Sequence, residues 1–235
     1  MAPPIDLTAA VGGVTAPAAV LARRVRDTLG GELRAALGAP EPEEVRHVRR
    51  PGEPGLFAPD SVTWRVHADT SMLIGGLRAL LLQTLHPLAM AGVAEHSDYR
   101  NDPWGRLRRT SQFVGATTYG GAAEAERAIE TVIRVHERVR GVAPNGLPYR
   151  ASDPHLITWV HATEVDSFLR TYQRYGHGTL TDAEADRYVA EMAVIGQRLG
   201  GSDVPTSRAE LRVWLRGVRP ELRAGAQARD GVRFL

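Results

Sequence analysis

Residues 102–141 read DPWGRLRRTSQFVGATTYGGAAEAERAIETVIRVHERVRG, and the punctuation of this stretch decides the fold class. Asp102-Pro103 is a helix opening with proline at the first helical position, where the missing N–H has no intrahelical partner to lose. Gly120-Gly121 closes that helix near Tyr119, and a second runs from Ala122 to Arg140 until Gly141 stops it. On the second helix Ala125, Ile129, Val132/Ile133, His136 and Val139 recur at helical spacing, so they form one apolar stripe with an imidazole in it. On the first, Arg106, Thr110, Phe113 and Thr117 share a face, with Arg109 flanking it. A solvated face accounts for Arg108. A face that mixes arginine, threonine and phenylalanine suits a polar-lined cavity equally well.

Outward from these two helices the pattern stays helical. Asp153-Pro154 opens a helix to about Tyr175, and Thr181-Asp182-Ala-Glu184 is a capping-box start for one reaching about Leu199. A shorter helix is expected over 207–218. Upstream, 61–93 is strongly apolar, with Asp60-Ser61 as its N-cap. Met72 to Val93 has the length of a membrane span, but Arg78, Gln83 and His86 lie in its middle and Gly75-Gly76 and Pro87 interrupt it. Each such polar group would be costly at mid-bilayer depth, so a buried hairpin or kinked helix is expected, with the break at His86-Pro87. A first helix over about 16–37 and a proline-rich connector complete an N-terminal segment, 1–55, ahead of a helical domain, 56–235. No strand alternation and no internal repeat is visible, and the fold class is all-α.

Composition narrows the chemistry. The chain has 235 residues and a net charge of +2, too small to indicate a nucleic-acid surface. All 29 basic residues are arginine, so no side-chain amine is present for Schiff-base chemistry. The absence of cysteine excludes disulfides, thiolate-ligated haem and iron–sulfur clusters. The N-terminus lacks a basic and then apolar leader, which reads as cytoplasmic.

His67, His86, His96, His136 and His161 lie between Trp64 and His161. Imidazoles inside helical walls beside arginines are what a b-type haem requires, one neutral nitrogen for iron and cations for the propionates. His136 faces the expected core, where a histidine bonded to a carbonyl is the alternative to a ligand. His161 follows Ile157 and precedes Val165 and Phe168 on an inward face. Glu164 lies near the same face, where the default for a helix glutamate is the surface; orienting His161 or holding a charge toward a cavity are the alternatives. His96, followed by Ser97-Asp98, reads as a loop or capping residue, and His47, His155 and His177 receive no role. No His-x-x-x-His, nucleophile elbow or phosphate loop occurs.

The ordered stretches Ser61–Asp69, Gly76–Pro87, Gly92–Ser97, Asp102–Thr110, His136–Gly141 and Trp159–Thr163 resemble the DUF2236 family. That family includes latex clearing protein (rubber oxygenase) and MpaB-type oxygenases. The resemblance covers about residues 55 to 200. It implies a globin-like helical core, haem b as cofactor, and His136 as the ligand of the haem iron. It implies an oxygenase using dioxygen on an apolar small molecule, with Arg106 and Thr110 on the distal side and Arg109 stabilising a propionate or a charge on dioxygen. His161 and Arg106 join His136 as cofactor-binding candidates. Latex clearing protein carries Arg-x-x-Lys-Thr on its distal helix, where this chain has Arg106-Leu-Arg-Arg109-Thr110. Guanidinium keeps its proton and is a poor iron ligand, so a water-bound, open or otherwise capped sixth position is expected. The acid/base carboxylate of the rubber oxygenases has no clear counterpart; Glu95 and Asp98 are the nearby candidates. Family members continue past Leu235 with further apolar helix, so the pocket is expected to be open on one side or completed by a second subunit in a homodimer. The alternatives are a haem- or ligand-binding module without turnover and a haem-free helical interaction protein.

Overall fold

The computed structural model describes residue 49 and residues 52–234, and the helix expected over 16–37 lies outside them. Helix α1, Val62–His67, starts at Ser61, whose hydroxyl accepts from the Trp64 N–H at 3.2 Å. Helices α2, Ser71–Gln83, and α3, Pro87–His96, follow with a 104° bend between them. The bend is the expected break. His86 is extended (φ −87, ψ 114), the conformation that a following proline imposes, and Pro87 starts α3. Among the described residues no single helix is long and apolar enough to cross a membrane, although this bent pair passes on length and composition together.

Helices α4, Pro103–Tyr119, and α5, Ala122–Arg138, are the two consecutive helices expected around Gly120-Gly121, and they pack on each other. Asp102 caps α4, accepting from the Gly105 N–H at 2.8 Å. Then comes a feature the all-α reading missed. Arg140–Val142 (β1) and Pro148–Arg150 (β2) pair antiparallel, with Gly141 opposite Tyr149. The turn contains Gly146 at φ +81, which only glycine adopts without strain. Strands of three residues are too short for alternation to register in a sequence. Tyr149 is the buried residue of the hairpin and packs with Ala91, Ala143, Leu88 and Val139.

Helix α6, Pro154–Tyr175, is the central element. Asp153 caps it through the His155 and Leu156 N–H groups, and 14 of its 22 residues are buried. Helix α7, Asp182–Arg198, begins with the expected capping box, Thr181 and Glu184 bonding each other's backbone. Helix α8, Arg208–Gly217, a 3-10 turn, Arg219–Glu221, and a further helix, α9, Ala226–Phe234, complete the chain. Helix α9, not expected from the sequence, lies on α3, held by Asp230, which accepts from the Tyr99 hydroxyl at 3.1 Å. The described part is thus mostly helical, as the sequence led us to expect.

The main core joins Trp64 and Val66 of α1 to Val165, Phe168 and Leu169 of α6 and Tyr188, Val189 and Met192 of α7. Polar groups tie the same elements. Thr63 donates its N–H and hydroxyl to Glu191 at 2.9 and 2.8 Å. Arg78, the cation inside the apolar run, turns toward α6, where it reaches Asp166 at 2.9 Å and the Ser167 hydroxyl at 2.7 Å. Helix α2 approaches α6 closely because position 75 has no side chain. A Cβ there would lie 2.7 Å from the Phe168 ring and 3.1 Å from its Cα, whereas a Cβ at Gly76 would meet nothing within 4 Å.

Gly75→Ala should therefore destabilise the protein by about 1–3 kcal/mol through overpacking. Gly76→Ala should be neutral or stabilise it by about 0.5–1 kcal/mol through lost unfolded-state entropy. Urea denaturation of the two variants reads the difference, and equal midpoints would contradict the close approach.

Candidate functional site

In the α4–α5 pair, Arg106 and His136 each lie about 20 Å along their helices from the Gly120-Gly121 turn, at about 1.5 Å per residue. Each therefore stands at the end of its helix away from the turn. The principal packing partner of α5 is α4. Ala125 and Ile129 are buried, but Val132, Ile133 and His136, further along the same stripe, are only half-buried. The apolar face of α5 is thus covered near the turn and incompletely covered at His136.

His136 Nδ1 is buried and has no hydrogen-bond partner among the described residues. Burial holds the imidazole pKa below its ordinary value, so the ring is neutral. The Arg106 guanidinium is half-buried and reaches the Ser97 hydroxyl at 3.3 Å, with no carboxylate pairing it among the described residues. Its pKa is lowered first by desolvation and then by the like charge of Arg109. A cation held this way favours an added anion. Arg109 and Thr110 are exposed: Arg109 lies 3.6 Å from Asp102, and the Thr110 hydroxyl donates to the Arg106 carbonyl at 3.2 Å. Phe113 and Thr117, the rest of that face, turn into the core.

His161 is 5% exposed, and its ring lies against Gly196 of α7, where a Cβ would come within 2.7 Å of it. Burial lowers its pKa to about 4. One turn on, Glu164 sits deep in the molecule and is not the surface glutamate of the default reading. It keeps some accessible surface but has no hydrogen bond or ion pair among the described residues, and desolvation raises its pKa to about 7. A desolvated carboxyl without a hydrogen-bond partner favours its neutral form. His136 and Arg106 thus belong to the helical pair, and His161 and Glu164 to the central helix.

The other candidates are accounted for. His67 bridges α4 and α7, 2.8 Å from the Thr118 hydroxyl and 3.1 Å from that of Tyr188, and burial lowers its pKa to about 3. Glu95 accepts from the Tyr149 hydroxyl at 2.5 Å; burial first, and then this carboxylate, push the phenol up to about 12. Asp98 accepts from the Asn101 amide at 2.6 Å. His96 is the exposed last residue of α3, edge-on to Tyr149 at 6.3 Å. One cluster escaped the sequence reading: His86, His155 and Glu221 offer ligand atoms all within 4.8 Å of one another. No local spacing could have announced it, because Glu221 is 135 residues from His86 and 66 from His155.

Fold and site together define a mostly helical domain with neutral imidazoles and a desolvated carboxyl that has no partner among the described residues. Residues 64–235 match the model of the family described as ER-bound oxygenase mpaB/B'/Rubber oxygenase, catalytic domain, and the chain belongs to that family. No curated protein and no solved structure matches it.

The carboxyl of Glu164 has a measurable consequence. The folded protein holds this proton up to about pH 7, whereas the unfolded chain releases it near 4.5. The native state therefore binds more protons between those values, and stability falls as pH rises through that window. Glu164→Gln should abolish this fall and leave the variant more stable by about 3 kcal/mol at pH 8 relative to pH 4, compared with the parent. The loss of stability on acidification below about 6.5, from neutral buried His67 and His161, should persist in both proteins. Urea denaturation across pH 4–8 tests this, and parallel profiles would contradict it.

Proposed function

We propose that this protein is a haem b-dependent oxygenase that uses dioxygen on an apolar small molecule, with His136 as the protein ligand of the iron. The observation that carries the reading is the state of that imidazole. It is neutral, it stands on the incompletely covered part of the α5 apolar face, and its buried Nδ1 has no partner among the described residues. Family membership supports the oxygenase class, and the donor set suits a haem with one imidazole ligand.

Each residue then has a role set by its surroundings. The Arg106 guanidinium, half-buried and without a carboxylate among the described residues, pairs a propionate through a charge-assisted bond. Arg109 and Thr110 stand at the exposed rim, where they meet the polar edge of cofactor or substrate. His161 borders the interior from α6, and Glu164, with its pKa raised to about 7, can hold and release a proton near neutral pH. Half-buried Val132 and Ile133 offer apolar surface and exclude water. When bound, haem b supplies the dioxygen chemistry that none of these side chains provides.

Titrating the purified protein with haemin should produce a Soret band at one equivalent. His136→Ala should weaken haem affinity by roughly 100-fold and shift the band. Arg106→Ala should weaken affinity by about tenfold with the band position unchanged. Circular dichroism checks that both variants remain folded. A His136→Ala spectrum and affinity equal to the parent's would remove His136 from this role.

A further inference from the structure

We propose that His86, His155 and Glu221 form a binding site for a divalent transition-metal ion of the zinc class, independent of the haem reading. His86 Nε2 lies 3.2 Å from Glu221 Oε2, and His155 Nε2 lies 3.0 Å from the same oxygen. Bonds of about 2.0–2.1 Å at tetrahedral angles place neighbouring ligand atoms about 3.3 Å apart, so two of the three edges already have metal-site length. With all three donors within 4.8 Å, one ion reaches each of them after small side-chain movements.

The three side chains come from separate elements whose backbones are fixed independently of any ion. His86 ends the bend before α3 and is 3% exposed. His155 lies in the first turn of α6, where its N–H donates to Asp153 at 2.8 Å, and its ring rests near Trp214 at 5.5 Å. Glu221 ends the 3-10 turn, and just beyond it the Arg223 N–H donates to the Leu85 carbonyl at 2.8 Å, clamping this segment beside His86. Trp159 flanks the His86 ring at 6.1 Å. The donors are therefore held together before metal arrives, which lowers the ordering cost of binding.

The chemistry selects the ligand class. Two imidazoles and one carboxylate form the His₂Glu set that suits zinc, and imidazole disfavours calcium and magnesium. Burial favours the neutral form of His86, the form with a lone pair to give. The His155 and Glu221 side chains are 46% and 42% exposed, which leaves an entry path and room for a water as fourth ligand. Helix α3 is ten residues long, so this cluster and the Arg106–Ser97 contact stand about 15 Å apart at its two ends. An ion here staples the turn before α9 to the ends of α3 and α6.

The test uses the full chain, stripped with chelator and free of haem. Calorimetric titration with zinc chloride should show one equivalent bound, and cobalt chloride should give the intense visible bands of a four-coordinate site. Glu221→Gln and His155→Ala, both at half-exposed positions, should each weaken binding by about 100-fold or more and abolish the cobalt bands. His96→Ala, at the far end of α3, should bind like the parent. Circular dichroism reports folding, and if one ligand variant fails to fold the other carries the test. Absence of one-equivalent binding, unchanged affinity in a folded ligand variant, or equal weakening by His96→Ala would overturn the proposal.

Discussion

The close approach of α2 to α6 is the contact on which the rest of the structure depends. It requires a hydrogen at position 75, because any larger side chain meets Phe168. Once the two helices touch, Arg78 falls beside Asp166 and Ser167, so the one cation of the apolar run is paired rather than stranded. The same contact leaves α6 with 14 buried residues, enclosed by α1, α2, α7 and α8. A helix so enclosed holds His161 and Glu164 where desolvation keeps the first neutral and raises the pKa of the second to about 7.

The α4–α5 pair attaches to this core chiefly near its turn. Thr118 bonds His67, Tyr119 packs edge-on to Trp64 at 5.0 Å, and the Ala122 N–H donates to the Pro54 carbonyl at 2.8 Å. Away from the turn α5 keeps its apolar stripe but loses its cover. An amphipathic helix with an incompletely covered face is costly unless something occupies the gap, and His136 stands on that face. A rigid centre with one under-covered wall is the arrangement that a large flat cofactor suits.

Much of this was legible because local chemistry imposes it. Asp102-Pro103, Gly120-Gly121, Asp153-Pro154 and Thr181-x-x-Glu184 mark helix ends through capping and proline geometry, which act within a few residues, and the structure has helix ends there. His86-Pro87 breaks the apolar run for the same kind of reason. What escaped was non-local or too short. The three-residue strands around Gly141 and Tyr149 take their identity from packing on α3, not from alternation. Glu164 lies near the inward face by spacing, but a glutamate's default is the surface, and only the elements packed around α6 desolvate it. His86, His155 and Glu221 meet because a bend, a helix start and a 3-10 turn converge, and no sequence spacing records that. His136 was read as core-facing from its stripe, and the structure adds its orphaned Nδ1.

Hydrogen exchange measured by mass spectrometry, with and without haemin, addresses the central claim most directly. Backbone amides over 129–138 should exchange faster than those of the enclosed α6 in haem-free protein, since fewer contacts resist local opening there. Added haemin should slow this segment selectively while α6 stays unchanged. Identical rates in both helices before haemin, or no slowing of α5 after it, would contradict the picture of a rigid core with one wall awaiting its cofactor.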